Sequence, residues 1–583
     1  MENTELLKAV EAKAQAWLDG QYDEKTKSEV RALMESADKS ALIDAFYKDL
    51  EFGTGGLRGK MGVGCNRMNI YTVGSATQGL SNYLNREFAS LKQISVVVGH
   101  DCRNNSRLFA ETVANIFSAN GIKVYLFDDL RPTPEMSFAI RKLGCQSGVI
   151  ITASHNPKIY NGYKAYWSDG AQIIAPHDKN IIDEVNKITE VGQIKFQGNP
   201  DLIEIIGEDL DADYIDNIKA CVLDQELIKR QHDIKIVYTP IHGTGRHIVP
   251  RTLAAIGFTN VAHVPAQDVI TGDFPTVASP NPEEPAAMAM AIKKGEQIDA
   301  DIVMASDPDA DRIGVVVKND EGKYVILNGN QTCLILTWFL LNQWKESGKI
   351  DGKQFVIKTI VTTEVIREMA NKYGVGFYDV YTGFKWIAAK IYEQEGKTKY
   401  IGGGEESFGY LPYDVVRDKD APASIALMAQ IAAWAKDKGI KLYDVLKQIY
   451  VDFGFSKEKM IYIVREGKEG ADQIQALMKG YRENPPATMG GSKVVIVKDY
   501  QNLTQKDLRT GEVTKLDMPA TSNVLQYFTE DGSKVSVRPS GTEPKIKFYF
   551  EVKGVMTDKS QWAKANEEAD KRIEQAAKDM GAM

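Results

Sequence analysis

Short runs of β-branched and aliphatic residues recur along most of this chain, separated by helix-length segments. Residues 94–98, 122–127 and 148–151 have the patterning of strands, with helical segments at 107–120 and 134–143 between them. Such alternation predicts mostly parallel, mixed sheets covered by helices. The rhythm returns at 234–238, 301–304 and 313–317, and again at 355–361, 377–381 and 400–402, so three successive α/β domains are the simplest account. After about residue 452 the texture changes. Strand-like runs at 493–497, 524–528, 534–537 and 545–552 follow one another closely and end in a helical segment, 559–580, the signature of a smaller α+β domain. Weak linker signals near 207–213, 320–322 and 453–457 divide the chain into expected domains 1–207, 208–321, 322–453 and 454–583.

Length supports this division, because 583 residues far exceed the size at which one hydrophobic core stops growing. Apolar content of 43% and charged content of 26% are ordinary for a globular protein. A net charge of −8, spread along the chain, offers no basic patch, which argues against nucleic acid and anionic membrane as partners. Five scattered cysteines, with no Cys-x-x-Cys pair, indicate neither a disulfide framework nor a zinc site. The charged amphipathic stretch 1–21 lacks a signal-peptide core, and the longest apolar run, around 333–341, is too short to span a bilayer. A reducing cytoplasm is the expected compartment; the pattern is silent on oligomeric state.

Chemistry concentrates where predicted strands end. Thr-Ala-Ser-His-Asn-Pro at 152–157 follows the apolar run 148–151, setting the Ser154 hydroxyl on a polar strand-to-helix turn where helix amides stabilise phosphate. Ser and Asn are also ordinary helix caps. After 301–304 comes Ser306-Asp307-Pro308-Asp309-Ala310-Asp311-Arg312, with hard oxygen ligands at alternate positions, as Mg²⁺ prefers. An EF-hand is excluded: its sixth position is Arg312 and its twelfth Lys318. Three carboxylates with a phosphoserine of about −1.5 to −2 need a divalent cation and Arg312 to become a site that holds a phosphate yet releases it. Together the two loops suggest a phosphorylated serine facing a metal. The Gly-Lys-Thr at 396–398 is no P-loop, since Ile391 stands where a glycine is required.

A third loop, Gly-Gly-Gly-Glu-Glu-Ser-Phe-Gly at 402–409, offers two carboxylates and a hydroxyl suited to adjacent sugar hydroxyls. In the last domain, Arg538-Pro539-Ser540-Gly541-Thr542-Glu543-Pro544-Lys545 joins a guanidinium fork, hydroxyls and a glycine turn, the makings of a clamp for a non-reacting phosphate. Phe-Gly-Thr-Gly-Gly-Leu-Arg-Gly at 52–59 supplies a further arginine, Arg58.

These segments occur in the order seen in the α-D-phosphohexomutase superfamily, and from about residue 49 to 552 the chain resembles its phosphoglucomutase/phosphomannomutase group. The resemblance implies four domains around a central cleft, each contributing one loop. It implies a phosphoserine at Ser154, Mg²⁺ held by Asp307, Asp309, Asp311 and the Ser154 phosphate, sugar contacts from Glu405 and Ser407, and a distal phosphate on Arg538, Ser540, Gly541 and Thr542. Arg58, His155, Lys164, Arg312, Thr382, Gly383 and Lys419 fall where the family places other catalytic or substrate-contacting groups; Lys164, His155 and Lys419 are the acid/base candidates. The implied activity interconverts hexose 1-phosphate and 6-phosphate, of glucose or mannose, with a sugar bisphosphate as intermediate and activator. Ala310 departs from the glycine of many members. Phe-Gly-Thr-Gly-Gly-Leu-Arg-Gly and Asn66-Arg67-Met68-Asn69 also resemble the branch containing phosphopentomutases, which keeps ribose and deoxyribose phosphates open. Two other classes are weighed: a haloacid dehalogenase type phosphatase with Asp307 as nucleophile, and a non-catalytic sugar-phosphate sensor.

Overall fold

The computed structural model describes all residues other than Met1, Thr54, Glu466 and 541–544, and the side chains at 2–4, 467–469 and 471 also lie outside the description. The chain forms two compact units: Met1–Gly329 with Gly383–Gly439, and Asn330–Thr382 with Ile440–Met583.

The first unit holds two mixed sheets built to one plan. One comprises β1 (Gly56–Lys60), β2 (Ser95–His100), β3 (Lys123–Phe127), β4 (Ser147–Ile151), β5 (Tyr160–Trp167) and β6 (Ile203–Ile206), in the order β1-β5-β4-β2-β3-β6. Strands β4, β2, β3 and β6 are parallel, whereas β5 and β1 return antiparallel. The other comprises β7 (Ile236–Thr239), β8 (Val261–His263), β9 (Ile302–Ser306), β10 (Ile313–Lys318) and β11 (Tyr324–Leu327), ordered β11-β10-β9-β7-β8. Here β8, β7 and β9 are parallel, and β10 and β11 return antiparallel. The central strands are apolar on both faces: Val96, Val98, Val149 and Ile151 on one and Val97 and Ile150 on the other are fully buried, each contributing roughly 1.5–3 kcal/mol of burial.

Mostly parallel, mixed sheets are what the sequence leads one to expect, and the local difference lies after β4. The sequence pattern predicts a helix after 148–151, yet the chain folds straight back as β5. The reason is burial: Tyr160–Trp167 is covered on both faces and shows no polar alternation to mark it as a strand. Of the expected linkers, residues 208–213 begin the helix Glu208–Ala220, and 320–322 form the tight turn between β10 and β11. Three helices, Glu2–Asp19, Glu24–Glu35 and Ser40–Phe46, precede β1 and close over an aromatic cluster of Trp17, Tyr22, Phe46 and Tyr71.

In the second unit, Gln354–Thr359 and Gly376–Val380 pair in parallel. A largely antiparallel sheet follows, containing Ser492–Asp499, Leu525–Thr529, Lys534–Pro539 and Lys545–Gly554, close to the expected strands, and the helix Trp562–Asp579. Its edge strand Phe455–Val464, whose first residues fall in the expected linker 453–457, pairs with Lys545–Gly554 along ten residues. Among the described residues no sheet closes into a barrel.

Candidate active site

Three loops of the first unit meet, and each joins two antiparallel strands: β4 to β5 around Ser154, β9 to β10 around Asp307–Arg312, and Lys399–Gly404 to Tyr410–Leu411 around Glu405. Each carries one non-glycine residue in the left-handed region, Ser154 (φ +50°), Ala310 (φ +50°) and Phe408 (φ +66°). Conformations of this kind cost energy and persist where surrounding contacts impose them, often at functional sites. The second and third loops are tied by backbone, with an isolated bridge between Arg312 and Gly409 and a 3.0 Å bond from the Ile313 amide to the Phe408 carbonyl.

The Ser154 hydroxyl donates to Asp307 Oδ2 at 2.8 Å, across 153 positions of sequence, and lies 3.1 Å from His155 Nδ1. Asp307 Oδ1 accepts the amides of Asp311 (3.1 Å) and Arg312 (3.0 Å), so the loop folds around that carboxylate. Asp309 Oδ2 accepts Thr133 Oγ1 (2.8 Å) and Lys164 Nζ (2.7 Å); Asp311 Oδ2 lies 3.1 Å from both Lys164 and Lys419. The remaining oxygens, Asp309 Oδ1 and Asp311 Oδ1, are buried and have no hydrogen-bond partner. The three aspartates are at most 1% exposed, and one oxygen from each falls within 4.8 Å of the others. Buried carboxylate oxygens that converge without donors are a poor structural motif and a good cradle for a hard divalent cation.

Electrostatics follow from this crowding. Burial and the charges of Asp309 and Asp311 push the Asp307 carboxyl well above its usual range. Burial pulls the Lys164 and Lys419 ammonium groups down, but Asp309 with Asp311 for Lys164, and Asp311 with Asp418 and Glu405 for Lys419, outweigh it and hold both charged. Burial, Arg312 and Arg58 hold His155 well below its ordinary value, as a neutral imidazole. Burial raises Glu405 despite Lys419 nearby.

The other expected residues divide by unit. Arg312 pairs with Glu283 at 2.8 Å; Arg58, on β1, reaches Asn156 Oδ1 at 3.3 Å; the Gly383 amide donates to Glu405 Oε1 at 2.7 Å. Gly409 is needed where it stands: a Cβ there would sit 2.1 Å from Lys419 Cδ. Ser407 is half-buried on the Glu405 loop. In the second unit, Thr382 is half-buried just past Gly376–Val380, and Arg538 lies half-buried in Lys534–Pro539 opposite Lys547. The Ser540 amide donates to the Lys545 carbonyl at 2.7 Å; Gly541 and Thr542 lie outside the described residues.

Two contributors were missed in the sequence. Thr133 binds Asp309 through its hydroxyl and, at 2.8 Å, through its amide. Arg103 reaches the Ser154 loop, as developed below. The available signal was position: Arg103 and Thr133 stand at the junctions where β2 and β3 give way to the helices Ser106–Ala119 and Thr133–Leu143.

Comparison with known proteins agrees with this geometry. Models of the phosphoglucomutase/phosphomannomutase α/β/α domains I, II and III match residues 49–192, 212–322 and 328–453, and the C-terminal domain model matches 493–568. A phosphoglucomutase of Staphylococcus haemolyticus is 36% identical over 90% of this chain and 94% of its own. The human phosphopentomutase is 33% identical over 92% and 90%. In fold, the chain is similar to parafusin of Paramecium (TM-score 0.66, 18% identity, 92% of this chain and 96% of that one). It is also similar to a phosphoglucomutase/phosphomannomutase family protein of Burkholderia thailandensis (TM-score 0.64, 19% identity, 90% and 97%). No helix among the described residues is long and apolar enough to cross a membrane. Matched along most of its length by four domain models in order, the chain belongs to the phosphoglucomutase/phosphomannomutase family of the α-D-phosphohexomutase superfamily and is a phosphosugar mutase.

Proposed function

We propose that this enzyme interconverts the 1-phosphate and 6-phosphate of a hexose, glucose or mannose, through a phosphoserine at Ser154 and a bisphosphorylated sugar. The observation carrying this reading is the 2.8 Å bond from Ser154 Oγ to Asp307, which joins the acceptor hydroxyl to the acidic cluster. Phospho-Ser154 gives its phosphoryl group to the free hydroxyl of a bound sugar monophosphate; the bisphosphate turns and returns its other phosphoryl group to Ser154. Asp307, Asp309 and Asp311 would hold Mg²⁺, which when bound offsets the charge developing on the transferred group. Lys164, Lys419 and Arg312 add fixed positive charge around the same oxygens, so the phosphoryl group moves within a preorganised field. His155, neutral and 3.1 Å from Ser154 Oγ, is suited to exchange a proton there. Glu405 and Ser407 are the proposed sugar contacts, Arg538, Ser540, Gly541 and Thr542 the distal phosphate site, and Thr382 and Gly383 further substrate contacts, within the four domains read from sequence. Work in the cytoplasm on small sugar phosphates, with a sugar bisphosphate as activator, completes the proposal.

A phosphatase using Asp307 as nucleophile is disfavoured, because it leaves the Ser154 hydroxyl, held 2.8 Å from that carboxylate, without a role. The pentose alternative stays open on the 33% identity to a phosphopentomutase. Coupled mutase assays with glucose, mannose, glucosamine and ribose 1-phosphates, Mg²⁺ and catalytic bisphosphate decide the sugar; equal pentose and hexose rates would overturn the hexose assignment. Ser154→Ala should abolish turnover, and near-normal turnover in that variant would end the phosphoserine reading.

A further inference from the structure

The Ser154 loop is held from behind by one side chain. Arg103, on the turn after β2, donates from Nη2 to the carbonyls of Ser154 (2.6 Å) and Asn156, and from Nη1 to those of Pro157 (3.0 Å) and Tyr160 (3.1 Å). Its Nε lies 3.3 Å from Asp101 Oδ2, and neither side chain of that pair is exposed to solvent. Asp101 Oδ1 in turn accepts the Arg103 amide (2.8 Å) and Ser106 Oγ (2.7 Å), so the guanidinium is fixed at both ends. Four carbonyls of one loop thus converge on one planar fork, a geometry a lysine ammonium cannot reproduce.

A second element presses on this fork. The segment between β8 and the helix Pro285–Ile298 lays the Phe274 ring 5.2 Å from the Arg103 guanidinium centre, with Phe274 2% exposed and at φ +46°. Nearby, Gly272 approaches so closely that a Cβ there would lie 2.3 Å from the Asn104 amide nitrogen, and Asp273 accepts from Asn104 at 3.1 Å. The same segment donates from Ser279 Oγ to the His155 carbonyl at 3.3 Å and supplies Glu283 to Arg312. It therefore touches both the serine loop and the metal loop.

We infer that Arg103, backed by Phe274, is a positioning residue that imposes the left-handed conformation of Ser154 and so aims its hydroxyl at Asp307. The inference rests on the phospho-Ser154 reading above. Positioning errors of about 1 Å cost on the order of 100-fold in rate. The experiment measures kcat, KM and the rate of phosphoryl uptake at residue 154 from labelled glucose 1,6-bisphosphate, in Arg103→Lys and Phe274→Leu, with Ser154→Ala alongside. In folded Arg103→Lys, kcat and phosphoryl uptake should fall about 100-fold while KM stays within about twofold. Phe274→Leu, which keeps the apolar bulk and removes the ring face, should lower kcat about 5-fold. Unchanged kcat in Arg103→Lys, or a loss carried by KM, overturns the inference; if Arg103→Lys does not fold, unchanged kcat in Phe274→Leu does so alone. Turnover by Ser154→Ala would instead overturn the phosphoserine reading itself, so the two failures are distinguishable.

Discussion

Two buried clusters of acids and bases occur in this chain, one in each unit, and they differ in how completely their charges are answered. In the second unit Glu364, Asp379 and Glu551 meet Lys358, Arg367, Lys534 and Lys553. Glu364 Oε1 lies 2.9 Å from Lys358 and 2.7 Å from Lys534, and its Oε2 3.0 Å from Arg367; Asp379 takes Lys358 and Arg367; Glu551 takes Lys534 at 3.2 Å and Lys553 at 3.5 Å. Each oxygen of those carboxylates lies within 3.5 Å of a cation, although Glu551 Oε2, like two aspartate oxygens of the first cluster, accepts no hydrogen bond. In the first unit Asp307, Asp309 and Asp311 are just as deeply buried and gather within 4.8 Å of one another, yet Asp309 Oδ1 and Asp311 Oδ1 accept no hydrogen bond and the nearest cation to the latter is Arg312 at 3.9 Å. A satisfied network holds strands and loops together; an unsatisfied one is a site awaiting a ligand. Backbone agrees, since left-handed non-glycine residues occur in all three loops around the aspartates and not in 354–380 or 534–539.

The sharpest way to break this contrast is to remove one acid from the first cluster. Asp309→Asn keeps an acceptor for Thr133 and removes a metal ligand, so turnover should fall about 1000-fold. Calorimetric titration with Mg²⁺ should lose its heat. An unaltered Mg²⁺ titration would put this cluster in the same class as its counterpart. There the reverse is expected. Lys534→Met leaves Glu364 and Glu551 facing each other, and a broken buried pair costs about 3–5 kcal/mol. Hydrogen exchange in 354–364 and 534–551 should accelerate accordingly, with no change in Mg²⁺ affinity; protection at the parent level would show that this network is not structural.

Asp420 sharpens the comparison through pH. It caps the helix Ala421–Asp437, accepting the Ala423 amide and the Tyr214 hydroxyl, each at 2.8 Å, and burial pushes its carboxyl up to about 7. A folded value above the unfolded one favours the protonated form in the fold, so its stabilisation is full below the unfolded value of 3.8 and is lost as pH rises through about 7. Asparagine keeps the accepting oxygen and cannot ionise. Asp420→Asn should therefore be more stable than the parent by about 1–3 kcal/mol at pH 8, the gap narrowing toward pH 4. Parallel stability curves across that range would contradict the burial argument.

Much of the site was legible because its residues sit where apolar runs end: Ser154 after 148–151, the aspartates after 301–304, Glu405 after 400–402. Each run is a central strand, and the polar residues after it have nowhere to go but the sheet's edge. What the pattern hid was the direction of return. Tyr160–Trp167 lacks alternation because both faces are covered, so a hairpin at Ser154 resembled a strand-to-helix turn. Of the helical region 2–46 the pattern marked only 1–21, and that as a charged amphipathic stretch, since the apolar stripe of Val10, Ala14 and Trp17 is short and completed by Phe46 and Tyr71 from elsewhere. Arg103 and Thr133 act on main-chain atoms and on a residue 176 positions away, relations that one-dimensional spacing does not carry.

Ala310 offers the smallest and most discriminating effect. Its φ of +50° costs an L-residue about 1–2 kcal/mol over glycine, and the methyl is fully buried in the metal loop. Glycine would relieve that cost but enlarge the unfolded ensemble by about 0.4–1 kcal/mol, so Ala310→Gly should gain roughly 0.5 kcal/mol in thermal unfolding. The neighbours already dictate the turn: the Ala310 amide donates to the Asp307 carbonyl at 2.9 Å, and the Ala310 carbonyl accepts from Ala421 at 3.3 Å. If those bonds alone set the loop, kcat in the glycine variant stays within about twofold of the parent. A larger fall would mean that the methyl itself limits the loop's motion, so that strain accepted at residue 310 keeps the unpartnered oxygens of Asp309 and Asp311 aimed at one point.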